Sequence, residues 1–251
     1  MNIANEINKQ TKLFGYIAEH AGSSRFSALL NKRFKADGKD AMMIPMNIRE
    51  DDFYFTVSNM KKSHVNGAVI ANEYSTQVVG ILDDMSMLVR RSGICDMVFK
   101  KGETLRGELF GMRVLTEMLK DLRVQKIALL GVGAHAKAFS FLACGFHVSY
   151  FHEYPETLLE FAKEVDIENI DINRIAFGME LDMSGYDALL DFSDLPHLTM
   201  ITKLPAHNFD MKNTHEHSAL RERAEALKAD YVSYDAMLEN LVDAAYKTIL
   251  D

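Results

Sequence analysis

A short segment with two glycines and small neighbours has the spacing of a phosphate-binding turn. The segment GVGAHA occupies residues 131–136, directly after the apolar run IALL at residues 127–130 and at the start of a helical period. In such a turn the first glycine permits the sharp bend, the second lets a pyrophosphate approach the backbone, and a small third residue brings helix and strand together. Amides that open the helix then face the phosphates. The candidate cofactor-binding residues are Gly131, Gly133, Ala134, His135 and Ala136, although His135 could equally serve local packing.

An acidic residue follows the next strand-like run. Glu153 comes directly after residues 147–152 and 22 residues after Gly131. A carboxylate at this place accepts hydrogen bonds from the ribose hydroxyls and repels a 2′-phosphate. We therefore expect NAD to be favoured over NADP. The alternative is that Glu153 is only a solvated residue at a strand end.

Strand-like and helix-like periods alternate along the chain. The first hundred residues predict a βαβαβ order, with strands at 12–17, 41–48 and 67–71 and helices at 26–34 and 50–60. A helix predicted at 107–122 precedes a second series, with strands at 126–130, 147–152, 174–177, 188–192 and 200–202 and helices at 134–143, 156–164, 216–228 and 236–250. Such alternation predicts an α/β protein with parallel, doubly wound sheets.

Composition narrows the class of protein. The 251 residues include 28 basic and 36 acidic ones, which gives a net charge of −8, and no cluster of Lys and Arg occurs. This balance argues against a nucleic-acid partner. The longest apolar stretch, 127–151, contains His135 and Lys137, so no membrane span is predicted. Two cysteines, Cys95 and Cys144, and a polar start of the chain predict a cytoplasmic protein without disulfides.

The order of several motifs resembles the shikimate dehydrogenase family over nearly the whole chain. The motifs are KLFGYI at 12–17 with the turn at 22–24, GAVI at 67–70, SGICD at 92–96, GETLRGELFG at 102–111, the 131–136 turn, and a closing helix with Met237, Leu238 and Asn240. The resemblance implies an N-terminal α/β substrate-binding domain, residues 1–106 and 236–251, and a Rossmann-type NAD(P)-binding domain, residues 107–235. It also implies that the last helix packs back on the first domain, and that hydride passes between the cofactor and a small-molecule substrate.

The chain departs from the family where the chemistry is done. The resemblance implies that Glu73 and Phe110 replace the family's catalytic lysine and aspartate, which leaves Glu73 as the candidate catalytic base. The alternative is that Glu73 is only a solvated residue at a strand end. By the same resemblance, Ser24 matches the first of two substrate-binding serines and Phe26 stands at the second. At three further positions the family has asparagine or glutamine residues that bind the substrate. Here these positions are occupied by other residues, which are the remaining substrate-binding candidates: Asp96, Glu108 and Asn240.

These replacements remove positive charge and add negative charge. A desolvated carboxylate ligand would meet repulsion on the order of several kcal/mol, because like charges in contact are costly. The prediction is a neutral or amine-bearing substrate rather than shikimate. Two functions stay open: an oxidoreductase of altered specificity, and a non-catalytic relative that binds a nucleotide or metabolite and regulates or partners another protein. Either would be a monomer or a homodimer.

One histidine pair invites a metal assignment. His215 and His217 flank Glu216, but side chains two apart do not share a helical face. The preceding Asn213 and Thr214 also predict that a helix begins there. We therefore predict no metal site.

Overall fold

The structure is a computed structural model that describes residues 10–166, 170–211 and 217–250. The chain divides into two compact units. The first comprises Met1–Val114 and Leu238–Asp251, and the second comprises Leu115–Met237. The assignment of a substrate to the first unit and a cofactor to the second remains a proposal.

The strands belong to two larger sheets and one strand pair. In chain order they are β1 (Lys12–Ala18), β2 (Ala41–Asn47), β3 (Val65–Ile70), β4 (Asp84–Met85), β5 (Met97–Lys101), β6 (Thr104–Glu108), β7 (Lys126–Leu130), β8 (His147–His152), β9 (Asp171–Arg174), β10 (Leu181–Asp182), β11 (Ala188–Asp191), β12 (Ile201–Lys203) and β13 (His207–Asp210).

The α-helices alternate with these strands and confirm the α/β class. They are α1 (Phe26–Ala36), α2 (Glu50–Asn59), α3 (Met87–Ser92), α4 (Gly111–Asp121), α5 (Ala134–Leu142), α6 (Pro155–Val165), α7 (Ala219–Leu227) and α8 (Leu238–Leu250). Within the described part of the chain, no helix combines the length and the apolar character that a membrane crossing requires.

The sheet of the first unit is mixed, with the strand order β2-β1-β3-β5-β6-β4. Strands β1, β2 and β3 are parallel, whereas β5 is antiparallel to both β3 and β6. The prediction of an all-parallel sheet is wrong here, and Gly107 and Glu108 lie in β6 rather than in a helix. The cause is a tight hairpin: Gly102 takes φ +62° between the paired residues Lys101 and Thr104.

The last helix packs on the first unit, as the resemblance implies. The Tyr246 hydroxyl on α8 donates a 2.6 Å hydrogen bond to Asp37 at the end of α1. This hydrogen bond lowers the pKa of Asp37. The Tyr246 ring also lies 5.5 Å from the ring of Phe34. Buried aromatic contact of this kind fixes a helix more firmly than surface charge does.

The second unit has a five-stranded, fully parallel sheet in the order β13-β11-β7-β8-β9. Strands β8 and β9 lie on one side of β7, and β11 and β13 lie on the other. The strand order therefore runs in opposite directions on the two sides of the boundary between β7 and β11. In open α/β sheets, ligands bind outside the carboxyl ends of the strands at such a switch point.

Two local predictions in the second unit are wrong. Helix α7 begins at Ala219, where the Ser218 hydroxyl accepts the amide hydrogen of Arg221 at 2.9 Å and caps the helix. The predicted cap at residues 213–214, like His215 and Glu216, lies outside the described residues. Strand β9 ends at Arg174 instead of beginning there, because its register with β8 pairs Ser149 with Asp171.

Candidate functional site

The turn after β7 requires a glycine at its first position. Gly131 has φ +92°, a backbone conformation that residues other than glycine rarely adopt. A Cβ atom there would lie 2.8 Å from the carbonyl carbon of Phe192, which belongs to the segment after β11. The Gly131 amide donates to the carbonyl of Phe151 at 3.1 Å. Gly131 thus holds the ends of β7, β8 and β11 close together.

The second glycine leaves the start of α5 open. Gly133 is the N-cap residue of α5, and no side chain caps the helix there. A Cβ on Gly133 would meet no heavy atom of the described chain within 4 Å. Backbone amides at such an open helix start bind anions well, because they lack partners and lie at the positive end of the helix dipole. The two-glycine spacing therefore produces the open turn that phosphate binding needs.

The other residues of the turn have different tasks. Ala136 is fully buried, which lets α5 approach the sheet closely. Ala134 is the first residue of α5. Burial lowers the pKa of His135, so the imidazole is neutral at pH 7 and supplies no positive charge to a phosphate.

A cavity of about 380 Å³ opens at the ends of β7, β8 and β11. The residues that line it come from three segments, which are 131–133, 151–153 and 192–196. Glu153 is exposed and lines this cavity together with the open turn. The lining includes a second acid, Asp194, and, within the part of the chain that the structure describes, no lysine or arginine.

The residues around this cavity fit a dinucleotide. The open start of α5 suits the diphosphate, the absence of a side chain at Gly131 and Gly133 leaves room for it, and Glu153 lies one strand away, where a ribose would lie. The segment at 192–196 was not singled out from the sequence. Its signal is an apolar strand, β11, that ends in polar residues beside the switch point.

In the first unit Glu73 has one anchored oxygen and one for which the described residues supply no partner. It lies in the 3-10 turn Asn72–Tyr74 that follows β3. Its Oε1 accepts the amide hydrogen of Glu19 at 3.1 Å. Its Oε2 is buried and has no hydrogen-bond partner among the described residues. A buried acceptor of this kind normally finds a partner, so Oε2 is the atom of Glu73 for which the described residues give no structural task.

Asp96 caps helix α4. Its Oδ1 accepts the amide hydrogen of Phe110 at 2.8 Å and its Oδ2 accepts that of Gly111 at 2.7 Å. Burial raises the pKa of Asp96 to about 7, against the opposing effect of these two amides. Both oxygens thus have a structural task, which the sequence analysis did not anticipate. A role in binding substrate stays a prediction.

The sheet brings four of the five predicted residues of the first unit to one edge. Ser24 and Glu73 follow the parallel strands β1 and β3, Glu108 ends β6, and Asp96 precedes the antiparallel β5. The Asp96 carbonyl accepts from Ile70 at 2.9 Å, and its amide donates to the Glu108 carbonyl at 3.3 Å. Topology, rather than spacing in the chain, assembles this group.

The remaining side chains are less distinctive. The Ser24 hydroxyl accepts the amide hydrogen of Phe26 at 3.2 Å. Glu108 accepts a 3.1 Å hydrogen bond from the Arg106 guanidinium. Asn240 is exposed on α8. Sequence reasoning also missed Glu19, whose amide anchors Glu73; a backbone donor leaves no residue-type signal.

The buried carboxyl of Asp96 predicts an unusual dependence of stability on pH. Its folded pKa of about 7 lies above its unfolded value, so the folded state holds the proton more tightly and Asp96 stabilises the fold less as pH rises from about 4 to 7. The free energy of unfolding of Asp96→Asn minus that of the natural chain should therefore rise over this interval by up to about 4 kcal/mol. Urea unfolding at several pH values measures this difference.

Asp83 provides a control of opposite sign. Its carboxylate binds Lys61 Nζ at 2.7 Å and the Leu105 amide at 2.8 Å, and its pKa is lowered by these contacts, that with Lys61 first. The corresponding difference for Asp83→Asn should be flat above about pH 5, since Asp83 is then ionised in both states. A flat or falling difference for Asp96→Asn would contradict the buried-carboxyl assignment.

Comparison with known proteins gives consistent matches. No protein-family model matches the chain. Curated relatives named shikimate dehydrogenase (NADP(+)) are 26% identical over 149 residues in Dictyoglomus thermophilum and 25% identical over 138 residues in Pyrococcus furiosus. These matches cover 57% and 54% of this chain, and 54% and 51% of the relatives. The matched part thus spans about half the length of these relatives.

Solved structures match over more of the chain. A shikimate 5-dehydrogenase from Listeria monocytogenes, solved with shikimate and NAD, superposes with a TM-score of 0.70 at 16% identity, covering 98% of both chains. A 5-ketofructose reductase from a Gluconobacter strain superposes with a TM-score of 0.68 at 15% identity, covering 96% of this chain and 99% of the other.

The fold and the open turn define a two-unit α/β protein whose second unit has a dinucleotide-binding architecture. The sequence and structural matches together confirm the resemblance stated above. The chain is similar in sequence to shikimate dehydrogenases over a little more than half of its length and has their fold.

Proposed function

We propose that the protein is an NAD(P)-dependent oxidoreductase that prefers NAD and oxidises or reduces a small compound other than shikimate. One observation carries the proposal: Gly131 and Gly133, the two glycines of the turn that opens α5, and Glu153 line the same cavity. A phosphate-binding turn without a ribose acceptor would suit many anions. The two together suit a dinucleotide.

The preference for NAD follows from the charges around the cavity. The curated relatives are named as NADP(+) enzymes, so the preference is a departure from them. Glu153 and Asp194 line the cavity, and a 2′-phosphate beside them would be repelled. Arg174 is the residue that argues against a preference for NAD, because a positively charged side chain near β8 would attract a 2′-phosphate. Arg174 pairs with His152 across β8 and β9 but does not line the cavity.

The experiment measures the binding of NAD and NADP by calorimetry. The natural chain should bind NAD at least about tenfold more tightly than NADP, about 1.4 kcal/mol or more in binding free energy. Glu153→Ser should narrow this ratio, because it removes the repulsion of the 2′-phosphate. Glu156→Ser, an exposed acid in the first turn of α6, is the matched control and should leave the ratio unchanged.

Two results would contradict the cofactor proposal. Binding of neither nucleotide would remove the dinucleotide function altogether. Tighter binding of NADP, lost in Arg174→Ala, would reverse the preference and assign Arg174 to the 2′-phosphate.

Glu73 is the proposed base for the substrate hydroxyl. In the oxidising direction its carboxylate accepts the hydroxyl proton, hydride leaves the same carbon, and a carbonyl group forms. Bound NAD would supply the hydride acceptor. The Glu19 amide fixes Oε1, which leaves Oε2 to take the proton. General-base help of this kind is typically worth about 10²–10⁴-fold in rate.

The charges at the sheet edge of the first unit favour a neutral or amine-bearing substrate. Three acids, Glu73, Asp96 and Glu108, lie at this edge against two arginines, Arg106 paired with Glu108 and Arg113 acting on Asp96. Excess negative charge repels a carboxylate and attracts an ammonium group. The substrate class is tested by turnover with polyols, amino alcohols and shikimate; turnover with shikimate alone would contradict it.

A second candidate is a non-catalytic relative that binds a nucleotide or small metabolite. What favours it is the replacement of both of the family's catalytic residues, which the resemblance implies. Phe110 is only 7% exposed and contributes its amide to Asp96, so it serves structure rather than proton transfer. Nucleotide binding without turnover of any neutral or amine-bearing compound would favour this candidate; steady turnover would exclude it.

A further inference from the structure

Three potential metal ligands meet on the surface of the second unit. They are His197, in the segment between β11 and β12, His217, just before α7, and Glu222, in the first turn of α7. One ligand atom from each lies within 4.8 Å of the others. His197 Nδ1 is 3.8 Å from Glu222 Oε2, and His217 Nδ1 is 3.8 Å from Glu222 Oε1. Both imidazoles therefore present Nδ1 to the same carboxylate.

A backbone contact fixes the tautomer of His217. Its Nε2 lies 3.0 Å from the carbonyl oxygen of Pro196. A carbonyl only accepts hydrogen bonds, so Nε2 carries the hydrogen and Nδ1 of the neutral ring keeps a free electron pair. Metal-binding histidines characteristically donate their second N–H to such a group, which orients the ring and strengthens the ligand.

Buried neighbours hold the backbone of all three ligands in place. Leu198 follows His197 and is 1% exposed, and it belongs to the same apolar cluster as Ala219 and Leu220 at the start of α7. The Ser218 hydroxyl caps α7 next to His217. The three side chains are exposed, but buried residues flank His197 and begin α7, which limits the entropy lost when a metal binds.

The spacing suits a tetrahedral ion after small side-chain rotations. Zinc binds imidazole nitrogen and carboxylate oxygen at about 2.0–2.1 Å, which places neighbouring ligands roughly 3.3 Å apart. The two 3.8 Å distances, each to a different oxygen of Glu222, are about half an ångström longer than this. The ligand atoms of all three residues lie within 4.8 Å of one another, so the side chains must draw together to hold one ion. Two histidines and a glutamate also form a known kind of zinc ligand set, in which water takes the fourth position.

We propose that His197, His217 and Glu222 form a binding site for a divalent transition metal of the zinc class. Bound metal would join the segment that carries Pro196, which lines the cavity of about 380 Å³, to the start of α7. The prediction of no metal site considered only histidines adjacent in sequence. His197 is 20 residues from His217, and only the fold brings the two together. The proposal does not depend on the oxidoreductase function.

Zinc titration of the full chain, followed by calorimetry, tests the site. The background is Cys144→Ser, because Cys144 is an exposed thiol that could bind zinc on its own. We expect one zinc ion per chain with a Kd of about 1–10 μM, and weakening of at least about tenfold in each of His197→Ala, His217→Ala and Glu222→Gln. His147→Ala, an exposed histidine outside the cluster, should bind as the parent does.

Hydrogen exchange gives a readout that no general affinity for metal would produce. Zinc should slow amide exchange in residues 194–198 and 219–223 of the parent and leave both unchanged in His197→Ala. The proposal is overturned if one-to-one binding is absent at 100 μM zinc, if it persists unchanged in His197→Ala and Glu222→Gln, or if protection appears elsewhere. Circular dichroism of each variant distinguishes loss of the ligand from loss of the fold.

Discussion

Replacing Gly131 by alanine should both destabilise the second unit and strongly weaken nucleotide binding. The new Cβ would lie 2.8 Å from the Phe192 backbone, at a φ of +92° that alanine rarely adopts. Because backbone rather than a flexible side chain is the obstacle, we expect a loss of about 2–4 kcal/mol in the free energy of unfolding. NAD affinity should fall by at least about 100-fold, since the amides of α5 no longer face the cavity. Urea unfolding and calorimetry measure the two effects.

Substitutions at two other glycines distinguish the loss of stability from the loss of nucleotide binding. Gly133 has an ordinary φ of −69° and open space around it, so Gly133→Ala should keep its stability and still weaken NAD binding, because the methyl group occupies the path of the pyrophosphate. Gly145 has φ +93° with open space, so Gly145→Ala should lose about 1–2 kcal/mol of stability and bind NAD normally. Normal NAD affinity in both Gly131→Ala and Gly133→Ala would show that the turn does not hold a phosphate.

Glu73→Gln should reduce turnover by about 10²–10⁴-fold and change substrate binding little. Glutamine keeps the size of the side chain and can accept the Glu19 amide through its oxygen, but it cannot take a proton at the position of Oε2. The loss should therefore appear in kcat rather than in KM. Steady-state kinetics with whichever polyol or amino alcohol is turned over measures the change.

Glu50→Gln is the matched control in the same unit. Glu50 is an exposed acid at the start of α2 whose Oε1 accepts from Gln77 at 3.1 Å. We expect this variant to keep the natural kcat. An unchanged kcat in Glu73→Gln would exclude Glu73 as the base and leave the reacting proton to another group.

Much of the fold follows from local patterns. Strands β7 and β8 and helix α5 agree with the sequence predictions to within a residue, because buried runs alternate there with a helical period. The hairpin of β5 and β6 was not predicted, and its last two residues, 107 and 108, were predicted as the start of a helix. The spacing at residues 107–111 suits either structure until pairing with β5 decides it. The short strand β13 has too few residues for any period to be recognised.

The residues of the candidate sites also divide into those that local sequence predicts and those that only the fold brings together. By itself the sequence determined the open turn at Gly131 and Gly133 and the acid at the end of β8, because each depends on residues that are close together in the chain. Only the tertiary structure decided that Asp96 caps α4, that Glu73 keeps one buried oxygen without a described partner, and that His197 lies beside His217. The physical reason is that these contacts join segments 14 to 54 residues apart, and sheet topology and core packing, not local spacing, bring such segments together.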